Sequence, residues 1–331
     1  MNVRLYSHLL AVALCCIDFV SAHDGDHERT RSSTKSLARN NEVQIIEEDG
    51  KRVVTSNGIP NHTTGRFPNR NNPNTISEQS YRFEMPLNPK QNPQPTVSRG
   101  IFGVAVNGVV FEPGTAERWN NRPDWAYEAL TSDLNLGLDQ SHAHVQPTGA
   151  YHYHALPNGL IKTQGAADKL KNNEMLLIGW AADGFPMYAK YAHRDSKGVD
   201  SELVEMKSSY QLKQGSSRPS KPDGPGGDSD GSFASDYEFV EGSGDLDACN
   251  GREGVTGEFP EGTYYYVLTE DFPFIPRYYK GSPDPSFNKG RGPDRAGGPG
   301  QRSESGHPRR GGGPPPHHDR RPPHGHGPER R

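Results

Sequence analysis

Apolar positions in this chain fall into short runs separated by turn chemistry, without the three-to-four-residue recurrence of long amphipathic helices. Gln44-Ile45-Ile46 and Arg52-Val53-Val54 flank Asp49-Gly50, a pairing that predicts a β-hairpin. Ile101-Phe-Gly-Val-Ala-Val106 reads as a buried strand, Asn107-Gly108 as a turn and Val109-Val110-Phe111 as the return. Glu174 to Ala181 repeats that pattern ahead of Asp183-Gly184 and Phe185 to Ala189, and Gly262 to Thr269 is the last clear strand. Short helices are predicted at Pro123–Leu130, with Pro in the first turn, and at Ala166–Asn172. The expected fold is mainly β: one β-rich domain over residues 42–280, sandwich or barrel-like, with long loops and one or two short helices. Residues 56–95, rich in Asn and Pro, read as a loop wrapped over that scaffold, and residues 213–232 as a solvated low-complexity insertion.

Composition narrows the picture. Hydrophobic residues make up 31 % of the chain, below the usual ~45–50 %, so part of it is not expected to bury a core. A leader at 23–41 and a Gly/Pro/Arg/His-rich tail at 281–331 are predicted to be disordered. The tail carries ten Lys/Arg against five Asp/Glu, enough to contact an anionic envelope polymer by charge. Residues 1–22 resemble a secretory signal: Arg4, an apolar run from Leu9 to Ile17, then Val20-Ser21-Ala22. That run is too short to span a bilayer, so the expectation is an exported protein, periplasmic or extracellular, with no transmembrane segment. Cleavage there would leave Cys249 as the sole cysteine, excluding an intramolecular disulfide and disfavouring a thiolate zinc cluster. No nucleotide-binding glycine loop or nucleophile elbow is present, and no nucleic-acid partner is expected.

The chemistry concentrates in two His-x-His pairs, Ser141-His142-Ala143-His144 and Tyr151-His152-Tyr153-His154. Aromatic residues favour strands, and on a strand His152 and His154 share one face while Tyr151 and Tyr153 share the other. Two imidazoles at that spacing can converge on one cation, and Val145-Gln146-Pro147-Thr148-Gly149 can fold the first pair back beside the second. The candidate ligands are therefore His142, His144, His152 and His154, with His62 from the Asn-rich loop as an addition. Zn²⁺ or Cu²⁺ suits imidazole better than Ca²⁺ or Mg²⁺. The alternative is a polar hydrogen-bonding layer beneath a loop. Asp139 is read as an acceptor orienting a ligand imidazole, or as a turn cap. Asp183 reads as a turn residue, Asp247 and Arg252 as a local ion pair, and Cys249 as a buried small hydrophobe. His23, His317, His318, His324 and His326 are expected to bind metal only weakly, in flexible chain.

One internal echo stands out. Pro147-x-Gly149-x-Tyr151-x-Tyr153 recurs as Pro260-x-Gly262-x-Tyr264-x-Tyr266, with Tyr265 and Val267 at the histidine positions. A pseudo-symmetric fold would make one copy the ligand donor and the other a wall, with Tyr265 the aromatic group best placed to face the metal.

The motifs resemble those of the YHYH protein family. The tetrad Tyr151–His154 is accompanied by Ser56-Asn-Gly-Ile-Pro-Asn-His62, Val104-Ala-Val-Asn-Gly108 and Gly179-Trp-Ala-Ala-Asp-Gly-Phe-Pro186. Leu246-Asp-Ala-Cys-Asn-Gly-Arg252 and Gly262-Thr-Tyr-Tyr-Tyr-Val-Leu-Thr-Glu-Asp-Phe-Pro273 continue the likeness over roughly residues 42–280. The resemblance implies an exported protein and adds little chemistry. This chain departs from it in having Tyr265 where histidine is frequent. It also has Ser141-His142-Ala143-His144 where Cys-Gly-Gly-His is frequent, so Cys249 lacks a thiol partner. Three readings follow: an exported metal-binding protein, a metal-dependent hydrolase or oxidase on the same site, or a metal-free carbohydrate or envelope-polymer module stacking ligands on Trp119, Trp125 and Trp180.

Overall fold

The computed structural model describes residues 40–288; the expected signal, nearly all of the leader, and the tail with its histidines lie outside the described residues. Asp49 and Gly50 take φ of 49° and 72°, which matches the twist of a two-residue hairpin, so Val43–Glu48 pairs antiparallel with Lys51–Ser56. A third strand, Tyr81–Pro86, joins on the other side, inside the segment expected to be loop. Its alternation is real: Phe83 and Met85 are buried while Arg82 faces out. The surrounding Asn and Pro concealed that period.

The main sheet has eight strands, in the order Gly251–Gly254, Thr263–Val267, Pro186–Tyr188, Leu177–Ala181, Gly103–Ala105, Val110–Phe111, Tyr151–Tyr153, Ala143–Val145. From its centre outward, this order is the same unit laid down twice. Each half is a hairpin (103–111 or 177–188), a strand parallel to its second arm (Tyr151–Tyr153 or Thr263–Val267) and an antiparallel outer strand. The hydrogen bonds repeat in detail. Gly108 N–H donates to Ala105 and Gly184 N–H to Ala181, at 2.8 and 2.9 Å. Val109 N–H is taken by the Asn107 side chain and Phe185 N–H by that of Asp183, at 3.2 and 3.4 Å. The echoed Pro-x-Gly turns each carry a left-handed glycine, Gly149 and Gly262, at φ 84° and 88°.

The halves meet where Gly103–Ala105 pairs antiparallel with Leu177–Ala181, Val104 opposite Trp180 and each glycine opposite an alanine. A Cβ on Gly103 would lie 2.4 Å from the Trp180 carbonyl, and one on Gly179 would lie 2.4 Å from that of Val104. The close approach at the seam therefore requires glycine on both sides.

Tyr151 and Tyr153 from one half, and Tyr264 and Tyr266 from the other, face one large core that also takes Val54, Phe83 and Met85 from the three-stranded sheet. On the opposite face, the second half buries a smaller cluster around Tyr188, Tyr265 and Val267. The arrangement is an open layered one with no closed barrel; among the described residues, Ala143–Val145 and Gly251–Gly254 are the outer strands of the large sheet.

Among the described residues, helix is confined to Asn158–Thr163, Ala166–Lys171 and short 3₁₀ turns. The helix expected at 123–130 does not form, because bridges from Ala126 to Arg118 and from Tyr127 to Phe233 hold that segment extended. The insertion at 213–232 is irregular and largely exposed, and it is anchored at one point: the Arg218 side chain reaches both carboxylate oxygens of Asp236, at 2.8 and 2.6 Å, together with Asp230. Ordered chain also runs past residue 280, with Phe287 stacked on Phe83 at 4.4 Å. At the other end, the Asn41 side chain already donates to the Ile59 and Asn107 carbonyls.

Candidate metal centre

His144 and His152 sit directly opposite one another across the antiparallel pair formed by Ala143–Val145 and Tyr151–Tyr153. Paired residues share a face, so their rings meet with centroids 4.6 Å apart. His154 follows two residues later on the same face, 4.6 Å from His152 and 4.8 Å from His144. One ring nitrogen from each of the three lies within 4.8 Å of the others. Nε2 of His144 and Nε2 of His154 are 3.1 Å apart, close to the ~3.3 Å that tetrahedral coordination at ~2.0–2.1 Å demands.

The outer nitrogens determine the tautomers. His144 Nδ1 is 3.0 Å from the Leu136 carbonyl and His152 Nδ1 is 3.3 Å from that of Ala150. A carbonyl only accepts, so both rings carry Nδ1–H and keep the Nε2 lone pair on the side away from it. His154 Nδ1 is buried without a hydrogen bond of ordinary geometry. Burial first, and then the neighbouring charges of His152, His144 and Arg277, hold the His154 pKa well below its ordinary value, and burial likewise lowers that of His144. Neutral imidazoles with inward lone pairs are the form in which histidine binds a metal. His152 and His154 are buried while His144 is half-exposed, so the cluster is reached from the His144 side.

Asparagines fix the edge strand that carries His144. Asn72 and Asn74 donate to the Val145 carbonyl at 3.0 and 2.7 Å, and Asn69 to that of Gly137 at 2.9 Å. The Asn-rich loop thus covers an outer strand that would otherwise expose its backbone.

The other sequence candidates lie elsewhere. His142 is opposite His154 in register, but its φ of 50° turns the ring away to the Leu156 carbonyl at 2.9 Å. His62 lies on the tyrosine side of the strand. Its Nδ1 is 3.1 Å from the Thr63 carbonyl, and its Nε2 accepts from the Tyr153 hydroxyl at 2.7 Å, which in turn accepts from Asn107 at 3.0 Å. Asp139 serves the same side, accepting from the Tyr151 hydroxyl and from the Gly65 and Ser141 amides, so it caps a turn and orients no ligand. Tyr265 belongs to the far half of the sheet, five strand positions from Tyr151–Tyr153, and does not face the histidines.

Asp247 and Arg252 do not pair with each other. Asp247 takes Lys280 at 3.0 Å and the Tyr264 hydroxyl at 2.9 Å, while Arg252 donates to the Tyr265 hydroxyl at 2.7 Å and to the His193 carbonyl. Cys249 is buried in the core, where burial pushes its thiol up to about 12. The three tryptophans do not share one platform, although the backbones of half-buried Trp119 and Trp125 pair at 3.0 Å. Trp180 is buried at the seam beneath Arg52, and Trp125 packs on Phe233.

Sequence reasoning missed Glu112. Val110 is in register with His152 in the parallel pair, and Glu112, two residues on, donates its N–H to the Tyr153 carbonyl at 2.9 Å. Strand alternation places Glu112 on the histidine face beside His154, and Gln146 holds its carboxylate at 2.6 Å.

The profile of the family described as YHYH protein matches residues 82–281. The chain belongs to the YHYH protein family. The tetrad behind that name does two things in this YHYH protein, lining one core with its tyrosines and the opposite face with its histidines. Comparison with curated proteins and with solved structures found no match. Among the described residues, no helix is long and apolar enough to cross a membrane.

Proposed function

We propose that this protein is an exported metal-binding protein that holds a divalent transition ion, Zn²⁺ or Cu²⁺, on His144, His152 and His154. The observation that carries this reading is the convergence of three ring nitrogens within 4.8 Å, two of the rings tethered by carbonyls at Nδ1 so that Nε2 is the nitrogen able to ligate. His144 and His154 meet Nε2 to Nε2 at 3.1 Å; in the ion-free protein one ring donates to the other there, and an ion between them would take both lone pairs. Export rests on the signal-like residues 1–22.

Elemental analysis of the purified full-length chain tests the reading. Near-stoichiometric zinc or copper is expected, lost in a His152→Ala/His154→Ala variant and retained in His62→Ala. Histidines outside the described residues contribute equally to each sample and cancel. Equal metal in all three proteins would overturn the assignment.

A second reading, hydrolysis, is favoured by Glu112. Three imidazoles leave a coordination position open, and a bound ion there lowers the pKa of water to about 7. Glu112, steadied by Gln146, is the carboxylate on that face able to accept the released proton. Turnover of simple esters or phosphate esters that tracks metal content and falls in Glu112→Gln, with metal retained, would support it. Activity unchanged in that variant would exclude Glu112 from the chemistry.

A further inference from the structure

The two halves of the main sheet correspond residue by residue around the metal-site face. Asp139 accepts Ser141 N–H at 2.8 Å and the Tyr151 hydroxyl at 2.8 Å; Asp247 accepts Cys249 N–H at 2.9 Å and the Tyr264 hydroxyl at 2.9 Å. His142 and Asn250 share left-handed backbone, φ 50° and 53°, and each carbonyl receives an N–H from the facing strand, His154 at 2.8 Å and Val267 at 3.0 Å. His144 pairs with His152 in one half and Arg252 with Tyr265 in the other. The correspondence is therefore His144 with Arg252, His152 with Tyr265, and His154 with Val267.

We infer that the second half carries a structural copy of the histidine site in which the guanidinium of Arg252 stands in for the cation. Its Nε binds the Tyr265 hydroxyl at 2.7 Å and its Nη2 binds the His193 carbonyl. A side chain of the sheet thus supplies the positive charge, and Val267 completes the wall from the apolar cluster behind. Permanently filled, this copy cannot take up an ion, and the chain holds one ion instead of two. The identity of that ion rests on the function proposed above; the equivalence of the two positions does not.

Reciprocal exchange in the full-length chain separates the two claims. Arg252→His/Tyr265→His/Val267→His installs three imidazoles at the copied position, and dialysis against Zn²⁺ followed by elemental analysis is expected to raise bound metal from one equivalent to two. In a chain already carrying His152→Ala/His154→Ala, the same three changes are expected to restore one equivalent. The converse exchange, His144→Arg/His152→Tyr/His154→Val, is expected to bind no ion. It should still unfold at a higher temperature than His144→Ala/His152→Ala/His154→Ala, because the guanidinium–phenol pair forms in its new place. Wild type holding one ion and the first variant gaining none would overturn the inference. If wild type and the first variant both hold none, the metal reading fails, and the converse exchange decides the equivalence by itself. Unfolding at or below the temperature of the triple alanine variant would overturn it.

Discussion

Asp183 offers the sharpest quantitative test of the fold. It occupies the position that Asn107 holds in the other half, and it is buried at the turn between Leu177–Ala181 and Pro186–Tyr188. The Tyr266 hydroxyl donates to it at 2.5 Å and Gly281 N–H at 2.8 Å, and these donors favour the carboxylate. Burial outweighs them and raises its pKa from 3.8 to about 6. Because the folded-state value is the higher one, the contribution of Asp183 to stability is complete below its unfolded value and fades as pH rises through the folded one. The shift from 3.8 to about 6 corresponds to about 3 kcal/mol lost between roughly pH 4 and pH 7. His62, His144 and His154, held low by burial, act in the opposite sense and lose stability as pH falls below ~6.5. The measurement must therefore be a difference: urea unfolding of wild type and Asp183→Asn across pH 4–8. The Tyr266 and Gly281 donors share Oδ2, which the asparagine carbonyl can replace, so near pH 4, where Asp183 is protonated, the variant is expected to match wild type closely. Towards pH 8 the variant should become the more stable, by up to about 3 kcal/mol. A gap independent of pH would refute the reasoning, since it would mean that Asp183 titrates alike in the folded and unfolded chain.

Other outcomes follow from the same geometry. Gly103→Ala and Gly179→Ala should each lower stability by at least about 1–3 kcal/mol and by similar amounts in thermal unfolding, since each new Cβ meets a carbonyl at 2.4 Å across the same seam. Arg218→Ala strands the buried Asp236 carboxylate and is expected to cost about 3–5 kcal/mol, with Trp125 fluorescence reporting local loosening. Tyr153→Phe leaves Asn107 and His62 without their shared hydroxyl, at about 1–3 kcal/mol, while bound metal stays unchanged by elemental analysis. Loss of metal in that variant would place His62 and Tyr153 in the site after all.

Local chemistry was legible in the sequence wherever a turn and its strands are neighbours. The Asp49-Gly50 and Asn107-Gly108 hairpins and the Asp183-Gly184 turn form as their residues dictate. The alternation within Tyr-His-Tyr-His was equally readable, and with it the split between histidine face and tyrosine core face. His142 escaped because its spacing from His144 implies a shared face, whereas its left-handed backbone, closed by a hydrogen bond from its N–H to the Asp139 carbonyl, turns the ring away. His62 escaped because a loop can approach a sheet from either side. Glu112 depends on a parallel pairing between residues far apart in the chain, which periodicity alone does not reveal. The anchoring of the 213–232 segment rests on a salt bridge between Arg218 and Asp236, and composition does not announce such a pair.

The seam between Gly103–Ala105 and Leu177–Ala181 is self-complementary, each residue meeting the counterpart of its own partner. Two separate copies of one half would associate through such a surface as an isologous dimer. Joining them in one polypeptide removes the need for both to change together. A substitution enters one copy and spares its twin, so Asn107 donates to the Tyr153 hydroxyl, which meets His62, while Asp183 accepts from the Tyr266 hydroxyl and from a backbone amide. Covalent linkage lets a symmetric scaffold become lopsided, with three clustered histidines on one flank and an arginine–tyrosine pair on the other.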